Sequence, residues 1–270
     1  RGPGSSLYGN NAFFGVVNLV TRRGRDLDGV EFSGEAGSAD TYKGIVSVGK
    51  KFANGIEGLA SGSYYTSGGL DGLSLPGATE PGLPTEIGEG MDADAAYRGF
   101  LKLSYSSFSF EGVYGRREKT VPTASWWTIP DDDRFVIADE RLSLSLRFDQ
   151  DLGRDWGLAG KVGYDLYKYD GEYTYADETL PGGSYLAVDD VQGQRWGTDW
   201  MLTKTLADRH RLSLGVECVD DFQLDQDYLD PGVGDFRSRE DRWWVEAYAQ
   251  AEIEVRTNLL LNLGGRYGYN

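Results

Sequence analysis

"DRWWVEAYAQAEIEV", residues 241–255, alternates in polarity along its whole length. In an extended chain successive side chains point to opposite faces, so Trp243, Val245, Ala247, Ala249, Ala251, Ile253 and Val255 share one face, and Trp244, Glu246, Tyr248, Gln250, Glu252 and Glu254 share the other. One face is apolar from end to end. The same period of two recurs in "RLSLSLRF", where Leu142, Leu144, Leu146 and Phe148 alternate with Ser143, Ser145 and Arg147. It recurs again in Leu212, Leu214, Val216 and Cys218, in Leu101, Leu103 and Tyr105, and in Leu259, Leu261 and Leu263. Trp and Tyr close several of these segments, as Trp156 does ahead of Leu158, Val162 and Tyr164, and aromatic ends suit a membrane–water boundary.

Composition excludes most alternatives. A chain that is 40% hydrophobic and 13% aromatic, with 38 Gly but only 8 Pro and no collagen period, folds and does so mainly as β-structure. Its longest apolar runs fall far short of the ~20 residues a membrane-spanning helix needs. A single Cys (Cys218) and a single His (His210) leave no internal disulfide, no Cys-based cluster and no multi-His site, so no metal site and no cofactor is expected. The net charge of −16 argues against a nucleic-acid partner.

Periodicity places strands near residues 29–37, 42–52, 55–67, 96–106, 107–118, 139–150, 156–171, 191–206, 210–226, 241–255 and 258–270. After a first hairpin at "SADT", short links at Ala53-Asn54, Ser106-Ser107, "DLGRD", "LADR" and Arg256-Thr257 alternate with loops of roughly 28, 20, 19 and 14 residues. Short and long connections therefore fall on opposite ends, the pattern of outer-membrane barrels. A soluble sandwich also alternates, but it turns more often and rarely keeps strands this long. The fold expected is all-β, a transmembrane antiparallel β-barrel. About eleven strands do not close such a barrel, whose strand number is even, and an open edge in lipid leaves backbone groups unsatisfied. Both ends are therefore expected to be truncations of a larger barrel.

The opening stretch, "RGPGSSLYGNNAFFGVVNLVTRRG", does not alternate. Gly2, Pro3, Gly4 and Gly9 permit tight turns, and "GVVNLVT" reads as a strand buried on both faces, with Asn18 hydrogen-bonded inside it. It reads as the end of a small domain that feeds the barrel; an extra barrel strand is the alternative.

This stretch is similar to the end of the plug domain in TonB-dependent outer-membrane receptors, where an R-G-P turn, an L-Y-G helix end and an A-x-x-G-V-x-N strand follow in that order. The positions that carry the resemblance are Arg1, Gly2, Pro3, Gly4, Tyr8, Gly9, Gly15 and Asn18. The rest of the chain resembles the family in barrel pattern and, loosely, in "RREKTVPTAS" and "RHRLSLGVE". The resemblance implies a plug inside a 22-stranded barrel. Residues 1–24 would be the plug's C-terminal end and 25–270 the N-terminal half of the barrel, about 11 strands. It also implies an N-terminal segment outside this chain that engages the TonB complex and couples the inner-membrane proton gradient to uptake. Arg1 stands where family plugs place an arginine that pairs with barrel-wall carboxylates, and Glu246, Glu252 and Glu254 are candidate partners; solvation of a turn is the plainer role.

Loops are where substrate choice is expected. "KTVPTASWWTIPDDDRFVIAD" sets Trp126 and Trp127 beside Asp131, Asp132 and Asp133, a combination suited to a cationic or amphipathic ligand, or to a solvated loop at the membrane rim. The acidic stretch "LDQDYLD" lacks the glycine and closing glutamate of an EF-hand loop. Three function classes follow. The leading one is a receptor-transporter of the bacterial outer membrane for a scarce nutrient, a small molecule or metal chelate such as a ferric siderophore or cobalamin, in contact with lipid and lipopolysaccharide and monomeric when full length. A passive porin or adhesive barrel is the alternative. A barrel enzyme, needing a nucleophile and base at one rim, has only His210 at the opposite end, so no catalytic residue is assigned.

Overall fold

In the computed structural model, residues 19–72, 74 and 86–270 are described, so the opening turn and its Arg1, Gly2, Pro3, Gly4, Tyr8, Gly9, Gly15 and Asn18 lie outside the described residues. A one-turn helix, α1 (Gly24–Leu27), precedes eleven strands: β1 (Gly29–Gly37), β2 (Thr41–Lys51), β3 (Glu57–Ser67), β4 (Asp94–Tyr105), β5 (Phe108–Thr120), β6 (Val136–Gly153), β7 (Trp156–Ala176), β8 (Ser184–Leu206), β9 (His210–Leu229), β10 (Phe236–Arg256) and β11 (Leu259–Tyr269). All form one sheet in which each strand pairs antiparallel with its sequence neighbours. Eleven strands in this order are what the alternation implies.

Register confirms the two faces. Val48, Ala60, Leu101 and Gly112 lie opposite one another across β2 to β5, and Leu146, Val162, Thr198, Cys218 and Val245 do so across β6 to β10. This face is aliphatic between two sets of aromatic rings. At the short-turn end Phe108 packs on Phe148 at 5.1 Å and faces Tyr105 in register, and Trp156 opens β7 at the same end. Toward the long-loop end Tyr97 meets Tyr114 at 5.9 Å, Tyr164 meets Trp196 at 4.8 Å, and Trp243 meets Tyr269 at 5.9 Å. On β7 the interval from Trp156 to Tyr164 is about 26 Å of strand, which after the usual tilt covers about 20 Å of the ~25 Å apolar band of an outer-membrane barrel. Val30, Phe32, Val46, Leu103, Leu214, Val216, Leu261 and Leu263 are all exposed on this face, as residues that meet hydrocarbon must be.

The short turns close tightly. Ser106 (φ 53°), the pair Arg154 and Asp155 (52° and 64°) and the pair Ala207 and Asp208 (50° and 55°) are left-handed, the backbone that matches the twist of a hairpin. At the other end the strands run further than their alternation suggests. β7 continues to Ala176, β8 begins at Ser184, β9 continues to Leu229 and β10 begins at Phe236, shortening the last two loops to residues 177–183 and 230–235. Beyond the apolar band the outward side chains turn polar, so the period that marks a strand in lipid disappears while the hydrogen-bond ladder does not.

Candidate functional site

The polar face carries the segment that precedes β1. Lys102 Nζ donates to Thr21 Oγ1 at 2.9 Å and pairs with Glu111 at 2.7 Å, and Thr21 donates to Glu111 at 3.3 Å. Arg25 clasps Glu57 with one edge of its guanidinium, Nε at 3.0 Å from Oε1 and 2.9 Å from Oε2 and Nη2 at 2.5 Å from Oε2, while its backbone N–H donates to Oε1 at 2.9 Å. Such a bidentate, charge-assisted contact fixes orientation as well as distance. α1 can lie this close because Gly24 has no side chain: a Cβ there would sit 2.2 Å from the carbonyl oxygen of Gly58. Neither Arg25 nor Glu57 stands out in the sequence, since the pairing joins a linker to a strand whose register must first be known.

Further along the same face, on β4 to β6, the six cations Arg98, Lys102, Arg117, Lys119, Arg141 and Arg147 stand among the five carboxylates Asp94, Glu111, Asp139, Asp149 and Asp151. Lys102 is spent on Glu111, Arg117 on Asp94 at 2.7 Å, and Lys119 on Asp92. Arg98, Arg141 and Arg147 have no ion-pair partner among the described residues. Arg98 and Arg141 flank Gly115 from either side in register, and Arg147 lies directly opposite Lys161, whose partner on the other side is Asp199. Arg266 donates to Glu246 at 2.5 and 2.7 Å and also to Glu217, and Tyr248 donates to Asp199 at 2.9 Å. Glu246 is therefore already paired within the sheet; Glu252 accepts from Gln250 at 3.3 Å, and Glu254 has no ion-pair partner among the described residues. Their pairing with Arg1 lies outside the described residues.

Above the band, the loop of residues 121–135 folds onto β7 and β8. Phe135 is fully buried against Tyr173 (ring centroids 5.3 Å) and Ala187, with Val121, Ile137, Tyr169, Tyr175, Tyr185 and Tyr228 around them. Trp126 lays its edge on Phe135 at 6.4 Å and Tyr173 at 5.9 Å yet stays 60% exposed, and Trp127 is 89% exposed. Both have positive φ (56° and 63°), a conformation uncommon for bulky residues that holds two adjacent indoles at the surface. The three aspartates separate. Asp131 accepts from the backbone N–H of Gly88 at 2.6 Å and ties this loop to the one before β4; Asp132 accepts from Arg134 at 2.6 and 2.9 Å; Asp133 is exposed. The Arg134 hydrogen bonds hold the Asp132 carboxyl below the usual carboxylate range. Asp230 also lies below its usual range, because hydrogen bonds from Tyr228, Gly232 and Val233 outweigh its burial. The aromatic floor beneath Trp126 alternates with its polarity inverted, Tyr167, Tyr169, Tyr173 and Tyr175 inward against Lys168, Asp170 and Glu172 outward, so it lacks the apolar outward face that marks a strand in lipid.

Comparison with known proteins gives one pattern. Residues 86–270 match the family model described as TonB dependent receptor-like, beta-barrel. Solved structures with the same fold include the ferric-catecholate import receptor Fiu of E. coli K12 in its open form (14% identity, TM-score 0.70, 99% of this chain on 48% of that one). They also include the ferric yersiniabactin uptake receptor FyuA from Yersinia pestis (15%, 0.67, 99% on 43%). A third is the siderophore receptor PiuA from Acinetobacter baumannii (15%, 0.68, 99% on 46%). This chain thus spans less than half the length of each.

Proposed function

The chain belongs to the TonB-dependent receptor family, and we propose that it is the plug-proximal part of an outer-membrane receptor that takes up a ferric siderophore at the expense of TonB-coupled energy. Residues 1–24 are then the end of the plug and 25–270 the first half of the barrel. The observation that carries this reading is the seam on the polar face, where Thr21 and Arg25 are bonded to Lys102, Glu111 and Glu57. A pore built for passive diffusion has no need of a segment fastened across its wall.

The cargo follows from the charges left over. Arg98 and Arg141, side by side across Gly115, line the wall below the exposed Trp126 and Trp127, an arrangement that suits a large, aromatic or otherwise apolar chelate carrying negative charge. The three solved structures above are named for ferric-catecholate, ferric yersiniabactin and siderophore import, which favours a ferric chelate over cobalamin. Such a receptor sits in the bacterial outer membrane as a monomer, with lipopolysaccharide against its aliphatic face, and performs no bond-making chemistry.

The test is accumulation of radiolabelled iron chelates by cells expressing the full-length receptor. Uptake that is saturable, abolished by a protonophore and lost without TonB supports the reading. Undiminished diffusion of a small sugar through the same protein would contradict it, and saturable uptake of cobalamin alone would reassign the cargo.

A further inference from the structure

At the long-loop end of the band, adjacent residues of β9 place one carboxylate on each face. Asp221, only 1% exposed, points to the polar face and is held by Arg195 and by Arg242, whose Nη2 lies 2.5 Å away. Both guanidiniums also stack over Trp244, at 5.4 and 5.1 Å from its ring. That buried charge is fully compensated. Asp220 points to the aliphatic face, where its register partners are Trp196 on β8 and Trp243 on β10. It has no hydrogen-bond or ion-pair partner among the described residues.

A carboxylate here interrupts the aromatic row that runs through Tyr164, Trp196 and Trp243 to Tyr269. An ionised group at the edge of hydrocarbon is costly unless something neutralises it. Directly below it the small side chains Thr198 and Cys218 form the floor of an open cleft of about 440 Å³, walled by Trp196, Val162, Trp243 and Val245. The charge is negative, the side walls are π faces and the floor is apolar. Two indoles and a carboxylate attract an organic cation, and an apolar cleft running into the bilayer accepts an acyl chain.

We propose that Trp196, Asp220 and Trp243, with the cleft beneath them, bind an outer-leaflet lipid that carries a protonated primary amine in its headgroup. The ammonium sits on Asp220 between the indoles and one acyl chain lies over Thr198 and Cys218. The site is independent of the cargo, since it faces away from the polar wall.

The experiment is native mass spectrometry of the full-length receptor in detergent, titrated with phosphatidylethanolamine or phosphatidylglycerol of identical acyl chains. Wild type is expected to retain one ethanolamine lipid in preference to the glycerol lipid by about fivefold, the size of a single desolvated cation contact. Asp220→Asn should bring the two lipids within about twofold of each other, and Asp220→Glu should keep the preference. Asp225→Asn, on the same face beyond the band and beside Arg239 at 3.7 Å, should change nothing. Heat-modifiable gel migration reports that each variant is folded, and Asp220→Glu carries the comparison if Asp220→Asn does not assemble: its loss of preference counts against the site. Equal retention of both lipids by wild type, or an unchanged preference in Asp220→Asn, overturns the proposal.

Discussion

The lower and upper parts of β7 are built on opposite plans. From Trp156 to Leu166 the outward residues include Trp156, Leu158, Val162, Tyr164 and Leu166, and the inward ones include Lys161 and Asp165. From Tyr167 to Tyr175 the outward residues are Lys168, Asp170 and Glu172, and the inward ones are Tyr167, Tyr169, Tyr173 and Tyr175. Polarity inverts along one unbroken strand. The backbone ladder is indifferent to this, because hydrogen bonds between strands are satisfied in either medium. Side chains are not, so each half records its surroundings: lipid outside and a charged lumen below, water outside and a folded loop above.

Cutting into the upper half should have the largest effect. Phe135→Ala removes the fully buried centre of the tyrosine cluster and is expected to cost about 3–5 kcal/mol. The loss should be local: hydrogen exchange at residues 121–135 and 169–176 should accelerate while amides around Leu214 stay protected. Uniform acceleration would mean that the two halves fold as one unit.

A charge placed outward discriminates the halves next. Leu214→Lys, in the aliphatic band, should lose roughly 2–4 kcal/mol of stability in lipid vesicles, whereas Gln192→Lys, outward but above the band, should stay within about 0.5 kcal/mol of wild type. Equal costs would place Gln192 in lipid as well.

These two halves were unequally legible in the sequence. All eleven strands could be found, because lipid on one side and charge on the other enforce a period of two over every crossing. The upper extensions fall outside the strands that alternation marks, since Glu172, Asp190 and Asp227 give them no apolar outward face. Of the loop residues, Trp126 and Trp127 could be singled out, but not the separate tasks of Asp131, Asp132 and Asp133, which depend on Gly88 and Arg134. The Arg25–Glu57 clasp, the Arg195–Asp221–Arg242 cluster and the unpaired Arg98 and Arg141 all require register, which a single strand's pattern does not contain.

Smaller effects concern the loop that caps the upper half. Replacing Trp126 and Trp127 together by Ala should weaken binding of the proposed cargo roughly tenfold or more, with normal assembly, if desolvating one exposed indole contributes about 2 kcal/mol. Calorimetry with a ferric chelate, the proposed cargo, measures this, and an unchanged affinity would make the pair a rim feature only. The Asp132 carboxyl lies below its usual range, so the folded loop gains from its ionised form above the unfolded value of about 4 and loses that gain as pH falls through the lower folded value. Acid should therefore mobilise residues 131–135 first, and Asp132→Asn should abolish that pH dependence.

The two-faced sheet is tested most directly by spin labels placed one at a time on consecutive residues of β7, from Trp156 to Ala176, in the full-length receptor with Cys218 replaced by Ser and reconstituted in vesicles. Between residues 156 and 166, accessibility to oxygen should peak at every even position and accessibility to a water-soluble nickel chelate should not. From residue 168 to 172 the even positions should instead favour the nickel chelate, while Tyr169 and Tyr173 exclude both reagents. Oxygen maxima that continue at even positions through residue 172, or no alternation below residue 166, would contradict the account.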